Sequence, residues 1–311
     1  MSVAVIIPIY KPPETLLSLL DILTRQTVKA EQIILINSGA SISWDLLSEE
    51  ELLKKYDTCV ILHIDEAEFD HGGTRNFGVS QTKTDYFVMM TQDAVPINYH
   101  FLESLLMGIE DAQTAVCYAR QRAYIGADEL ECFNRHFNYG NIALNKGKAN
   151  IAEMGIKTYF CSNVCAIYRR AVFDELGGFA AKIIFNEDMV FAAKAINAGY
   201  IVRYDPQVIV FHSHDYSLAE LKRRSFDMGV SHADFAEVFS SLPPEAEGLK
   251  MIRLATRHFL RIRKPGFIIK LFAESLVKYH GFRLGKRYRS LSRKRIMRNT
   301  MNIHYWKHLL S

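Results

Sequence analysis

Val3-Ala4-Val5-Ile6-Ile7-Pro8 is an unbroken apolar run, followed at once by Ile9-Tyr10-Lys11. A strand that is apolar at every position, and not only at alternate ones, is buried on both faces, as in a parallel sheet covered by helices. Residues 14–26 carry leucines at 16, 17, 19, 20 and 23, the spacing of an amphipathic helix. Residues 32–36 form a second short buried strand, closed by Asn37-Ser38-Gly39, and residues 46–56 a helix with an acidic start. Residues 60–64 and 86–90 read as a third and a fourth strand, with a helix over 74–82 opening after Gly72-Gly73. This alternation predicts an α/β fold with a mostly parallel, doubly wound sheet.

The rest is less regular. Residues 164–168 read as a strand and 169–176 as a helix stopped by Gly177-Gly178. Residues 187–198 read as a helix stopped by Gly199, and 201–204 and 208–211 as short strands. From Ser217 the pattern is helical, with Pro243-Pro244 as a linker, so the expected domains are residues 1–240 and a helical, basic region at 245–311.

Composition sets limits. The 311 residues hold 38 basic and 34 acidic side chains and are 49% hydrophobic, which excludes collagen-like, disulfide-scaffold and wholly disordered classes. No apolar run approaches the length of a membrane span. The first residues lack a basic leader and read as a strand of the fold, so a cytoplasmic location is expected. Five cysteines without a C-x-x-C pair predict buried, reduced thiols. The net charge of +4 hides an asymmetry: residues 250–311 hold 17 Lys/Arg against one acidic residue, Glu274. Such a basic appendage faces an anionic partner.

In an open parallel sheet, ligands bind beyond the carboxyl ends of the strands. Those ends supply Pro8 and Tyr10; Asn37; Asp65, followed by Arg75 and Asn76; and Gln92-Asp93. Asp93 follows a buried strand directly, so it suits either a hard cation shared with a diphosphate or a helix N-cap after Pro96. Arg75 and Asn76 suit a phosphate or ribose, or else a surface salt bridge. Glu187-Asp188 opens a helix, either complementing its positive end or supplying a general base. His212 and His214 share one face if their strand continues, as metal ligands or as ordinary strand-end histidines.

Taken in order, Val-Ala-Val-Ile-Ile-Pro-Ile-Tyr (3–10), Asn-Ser-Gly (37–39), Gly-Gly-Thr-Arg-Asn (72–76), Gln-Asp-Ala (92–94), Arg-Arg…Leu-Gly-Gly-Phe (169–179) and Asn-Glu-Asp (186–188) resemble family-2 glycosyltransferases of the GT-A fold. Phe-Asp-His-Gly-Gly-Thr-Arg-Asn (69–76), Thr-Gln-Asp (91–93) and His-Ser-His (212–214) are similar to the bacterial rhamnosyltransferase branch. The resemblance covers about residues 1–235. It implies inverting transfer from a nucleotide sugar, with Mg²⁺ or Mn²⁺ as cofactor. By the same likeness Asp93 matches the last carboxylate of the D-x-D element, whose first position is Thr91 here. Asp188 matches the catalytic base, and His212 or His214 a late metal or diphosphate contact. Pro8, Tyr10, Asn37, Asp65, Arg75, Asn76 and Gln92 are then the donor-binding candidates. The branch implies dTDP-β-L-rhamnose as donor and a lipid-linked glycan as acceptor. Trp44, Trp306 and the tyrosines are candidates to stack on sugar rings.

The alternatives are a UDP-hexose transferase, a sugar-nucleotide pyrophosphorylase and a basic nucleic-acid binder. The glycine loop of a pyrophosphorylase follows the first strand, whereas Gly72-Gly73 follow the third. The tail pairs its cations with Ile252, Phe259, Ile262, Phe267, Ile268, Leu271, Phe272, Leu276 and Val277 at helical spacing. That favours an anionic membrane surface over nucleic acid, with the protein peripheral on the inner face of the cell membrane. The alternative is that this apolar face packs on the catalytic domain or on a second copy, as in a homodimer.

Overall fold

The computed structural model describes residues 1–39, 47–240, 242 and 245–309. Trp44, residue 46 of the first acidic helix and Pro243-Pro244 lie outside the described residues. Nine strands form one sheet among the described residues. They are β1 (Val3–Ile9), β2 (Gln32–Asn37), β3 (Cys59–His63), β4 (Tyr86–Met90), β5 (Val95–Pro96), β6 (Thr114–Arg122), β7 (Leu144–Lys146), β8 (Cys165–Arg169) and β9 (Ile201–Phe211). The order is β3-β2-β1-β4-β8-β6-β9-β5, with β7 paired to β9. β3, β2, β1 and β4 are parallel, as expected. Beyond β4 the sheet turns antiparallel through β8 and β6, and β5 and β7 pair antiparallel with β9. The predicted strands at 201–204 and 208–211 are one strand. Pro206 reads as a break, but the Asp205 carboxylate accepts the Gln207 N–H and the strand runs through.

The chain divides into two compact units, drawn differently from the expected 1–240 and 245–311. One is Met1–Gln121, Asn141–Lys182 and Glu187–His212; the other is Arg122–Gly140, Ile183–Asn186 and Ser213–Ser311. In the first unit, Val3, Val5, Ile7 and Ile9 of β1 point into a core shared with Leu16, Leu19, Leu20 and Leu23 of helix Thr15–Thr24. These are the leucines whose spacing predicted the helix. Cys59, Cys117, Cys161 and Cys165 are buried free thiols, whereas Cys132 is exposed.

The second unit is helical. Helices Leu218–Asp234 and Gly266–Gly285 approach backbone to backbone at Gly229, Gly281 and Gly285. A methyl added at these glycines would stand 2.2, 2.2 and 2.0 Å from the Phe282, Lys222 and Phe226 carbonyl oxygens, closer than any side chain tolerates. Trp306 is buried in this unit among Ile184, Phe226, Val230 and Ile296. It is therefore a core residue and not a sugar platform.

Candidate active site

β1, β2 and β3 are laid down to one side, and β4 then joins β1 from the other. The direction of sheet building reverses between β1 and β4, which opens a crevice beyond their carboxyl ends. The β1–β4 register stops at Ile6 and Met89, so Pro8 lies past it, where a missing N–H takes nothing from that ladder. The two ends are then tied by a side chain. Gln92 accepts the Tyr10 N–H through Oε1 (2.9 Å) and donates from Nε2 to the Tyr10 carbonyl (3.0 Å). Tyr10 keeps its ring 40% exposed and donates its hydroxyl to Glu66 (2.7 Å).

Asn37 and Asp65 shape the neighbouring strand ends. Asn37 is buried; it brackets the N–H and carbonyl of Gly39 (both 3.1 Å) and touches His63 Nδ1 (3.1 Å). Asp65 accepts the Ala67 N–H. The glycines at 72 and 73 are not a loop before a helix. Helix His71–Ser80 starts earlier, capped by Asp70, whose carboxylate accepts both glycine N–H groups (3.0 and 2.9 Å). A methyl at Gly73 would sit 2.2 Å from that carboxylate.

This helix aims Arg75 inward. Arg75 is neither on the surface nor open to a phosphate: its Nε lies 3.3 Å from Glu187 Oε1, and Nη1 donates to the His71 carbonyl (2.8 Å). Asn76 is likewise engaged at both ends, donating to the Phe179 carbonyl (2.9 Å) and accepting the Phe179 N–H (3.0 Å). Both residues, expected as donor contacts, are tied within the protein, Arg75 to Glu187 and His71 and Asn76 to Phe179.

Glu187 and Asp188 open helix Glu187–Ala198 as expected, but the two are not equivalent. Asn163, which sequence reasoning missed, joins them. Its backbone N–H donates to Asp188 Oδ2 (2.9 Å) and its amide Nδ2 to Glu187 Oε1 (2.9 Å), while its Oδ1 accepts the Tyr168 hydroxyl (2.7 Å). Asp188 also accepts the Met189 N–H (2.8 Å). Burial raises the Asp188 carboxyl to about 7, and the Glu187 charge adds to the rise. Burial works in the same upward direction on Glu187, but the Arg75 cation, then His71 and the Asn163 amide, hold it below its ordinary value. Two adjacent carboxylates whose environments drive them apart are the arrangement that acid/base chemistry uses.

This arrangement fixes the sign of a pH effect. Asp188 must be ionised to act as a base, so activity is expected to fall as pH drops through about 7. Glu187→Gln removes the neighbouring charge and leaves Arg75 in place, both of which favour ionised Asp188. The acid limb of the kcat/KM profile is therefore expected to move to lower pH, which pH-rate profiles of the two proteins would measure. A limb that stays put or rises would assign it to another group.

Asp93 does not cap a helix; the one that follows Pro96 starts at Phe101 behind His100. Its Oδ2 lies 3.6 Å from Nε2 of buried His212, just past the end of β9. On the other side of the ring, Nδ1 lies 3.0 Å from Gln121 Oε1, and Gln121 Nε2 donates to Ser162 (2.9 Å). With the amide so oriented, Oε1 accepts only, so Nδ1 carries a proton, and in the neutral ring Nε2 presents its lone pair toward Asp93. That tautomer, fixed by an outer hydrogen bond, is the one a metal-binding histidine needs. Cis ligands around Mg²⁺ or Mn²⁺ stand about 3 Å apart, so the Asp93 and His212 atoms fit a divalent ion with a small adjustment. His214 follows two residues on.

Gln121 and Asn163 carried no sequence signal, because each acts through a partner far along the chain. The same holds for Lys146, a fully buried lysine whose ammonium donates to the Phe160 and Lys157 carbonyls and the Tyr118 hydroxyl. It anchors the segment that leads into Ser162 and Asn163.

Comparison with known proteins gives the fold class and the family. The mannosyltransferase PcManGT of Pyrobaculum calidifontis, solved with GDP-Man and Mn²⁺, shares the fold with a TM-score of 0.56 at 14% identity, over 99% of this chain and 86% of that one. S. aureus TarS 1–349, solved with UDP-GlcNAc, matches with a TM-score of 0.52 at 16% identity, over 93% and 92%. These likenesses place the fold in the GT-A class. The model of glycosyl transferase family 2 matches residues 4–177, and the chain belongs to that family. Two curated relatives are the O-antigen chain rhamnosyltransferases RfbN of Salmonella typhimurium and WbaN of Salmonella anatum. Each is 34% identical; RfbN aligns over 99% of this chain and 97% of its own length, WbaN over 92% and 89%.

Proposed function

We propose that the protein is an inverting rhamnosyltransferase that moves L-rhamnose from dTDP-β-L-rhamnose to a hydroxyl of a lipid-linked glycan in cell-surface polysaccharide synthesis, at the cytoplasmic face of the membrane. The observation that carries the chemistry is Asp188, held by the Asn163 and Met189 N–H groups and raised to about 7 beside ionised Glu187. The names of the two relatives, similar over nearly their whole length, support the sugar and the pathway.

Asp188 takes the proton of the acceptor hydroxyl as its oxygen attacks the anomeric carbon. The bond from that carbon to the diphosphate breaks on the opposite face, dTDP leaves with the bonding electrons, and a β-L-rhamnosyl donor gives an α-L-rhamnoside. Asp93 and His212 are the side chains suited to hold a divalent ion, which when bound neutralises the diphosphate as a leaving group. Tyr10 offers its exposed ring to the nucleoside, in the crevice shaped by Pro8, Asn37, Asp65 and Gln92. Arg75 and Asn76 act at one remove: Arg75 keeps Glu187 ionised, and Asn76 fixes the turn at Phe179.

Nucleotide release measured against a panel of sugar nucleotides tests the reading. dTDP-L-rhamnose is expected to be turned over at least tenfold faster than UDP-hexoses or GDP-mannose. A clear preference for a UDP-hexose would overturn the rhamnose assignment and keep the fold and the base.

A further inference from the structure

The tail helices do not present the apolar face that their sequence suggests. Ala255 and Phe259 of helix Glu245–Arg261 and Leu271 of helix Gly266–Gly285 close on Leu130 in an apolar cluster. Ile252, Ile262, Phe267 and Ile268 are partly buried against it. Most of the residues expected to face a membrane are therefore covered within their own unit.

A second pattern is left outside. On helix Glu245–Arg261 the exposed positions recur every three or four residues, the stripe opposite the buried side. Leu249 (69% exposed), Leu254 and Leu260 (60%) alternate there with Lys250, Arg253, Arg257 and Arg261. On helix Gly266–Gly285, Ile269 (76% exposed), Phe272, Leu276 (70%) and Tyr279 form a like stripe. Arg263 and Lys264 lie exposed between the helices. Glu274, the sole acidic side chain of residues 248–311, is buried and paired with Lys270 and Lys278. Carboxylates from outside this stretch reach Lys250, Lys264 and Lys270 through Glu247, Glu129 and Asp128; the remaining exposed positions of the two stripes carry large apolar groups and cations.

We propose that these outer stripes dock on an anionic lipid surface, Leu, Ile and Phe entering the acyl boundary and Arg and Lys meeting the headgroup phosphates. Large apolar side chains repeated along a solvated face call for a covering partner. A second copy meeting the same patch would set cations against cations, because a two-fold interface joins a surface to itself. A nucleic-acid backbone would match the cations and leave the apolar groups in water. A bilayer interface takes both. A lipid-linked acceptor would then share a surface with the enzyme, yet the docking does not depend on which sugar is transferred.

The test is sedimentation of the full-length protein with vesicles of phosphatidylglycerol and phosphatidylcholine, or of phosphatidylcholine alone. Binding to the anionic vesicles only, released by high salt, is the expected result. A cation near such a surface is worth roughly a fivefold change in partition at moderate salt. The variant Arg253→Ser/Arg257→Ser/Arg261→Ser is thus expected to bind on the order of 100-fold more weakly. Phe272→Ser/Leu276→Ser should also bind at least tenfold more weakly at unchanged charge. All five positions are exposed, so both variants should fold and release nucleotide from the donor in solution at the wild-type rate. Equal pelleting with neutral vesicles, or none with either, would overturn the proposal. So would a dimer that either variant dissociates, or duplex DNA binding unaffected by Phe272→Ser/Leu276→Ser. Loss of nucleotide release with vesicle binding intact would fault the transferase reading and leave the docking face standing.

Discussion

Asp188→Asn is expected to lower turnover by about 10²–10⁴-fold, the usual worth of a positioned general base, with little change in donor affinity. The substitution keeps the shape of the side chain and one acceptor for the Asn163 and Met189 N–H groups, but removes the proton-accepting oxygen. The mechanism places the lost interaction in the transition state, so kcat should fall while the donor dissociation constant, measured by calorimetry, stays within a few-fold of wild type. Asn163→Ala offers a contrast. It keeps the backbone N–H on Asp188 and removes the amide from Glu187, so its loss should be smaller. Near-normal turnover in Asp188→Asn would move the role of base to another carboxylate.

The second large effect is expected at Asp93. Asp93→Ala should weaken donor binding and turnover together, with a loss in kcat/KM of about 10²–10³-fold, the scale of removing one preorganised charge partner from a leaving group. EDTA should reproduce this in the wild-type protein, and Mg²⁺ or Mn²⁺ should restore it. His212→Ala should follow Asp93→Ala in both readouts, since the two side chains face one another at 3.6 Å. Gln121→Leu, which removes the acceptor that fixes the His212 tautomer, should raise the metal concentration needed for half-activity by about 10–100-fold. Full activity in EDTA beside an inactive Asp93→Ala would mean that Asp93 meets the donor directly. Thr91 at the first D-x-D position gives that outcome a chemical basis.

The parallel half of the fold is legible in the chain. β1, β2 and β4 read as continuous apolar runs, and Leu16, Leu19, Leu20 and Leu23 point the intervening helix inward. Polar residues at the ends of these runs gather at one edge because parallel strands all present their carboxyl ends to the same side. The antiparallel half was harder to read. β6 lies in a stretch without clear alternation, and β9 contains a proline.

By itself, then, the sequence determines the parallel strands and which side chains stand at their carboxyl ends. It also determines that a basic, apolar tail follows the catalytic fold. The tertiary structure alone decides what each of those side chains does. Glu187 and Asp188 are neighbours of the same type; burial, with Arg75 from a helix more than a hundred residues earlier and then His71 and the Asn163 amide, separates them into an ionised carboxylate and one near neutrality. Arg75 itself, read as a phosphate ligand, is held on Glu187 for the same reason. In the tail, helical spacing identifies apolar residues but not which of them another helix will cover. Leu130 and its neighbours take Phe259 and Leu271 into a core, leaving Leu249, Ile269 and Leu276 outside. Charge state and exposure are properties of what surrounds a residue, and those surroundings are assembled from segments that are distant along the chain.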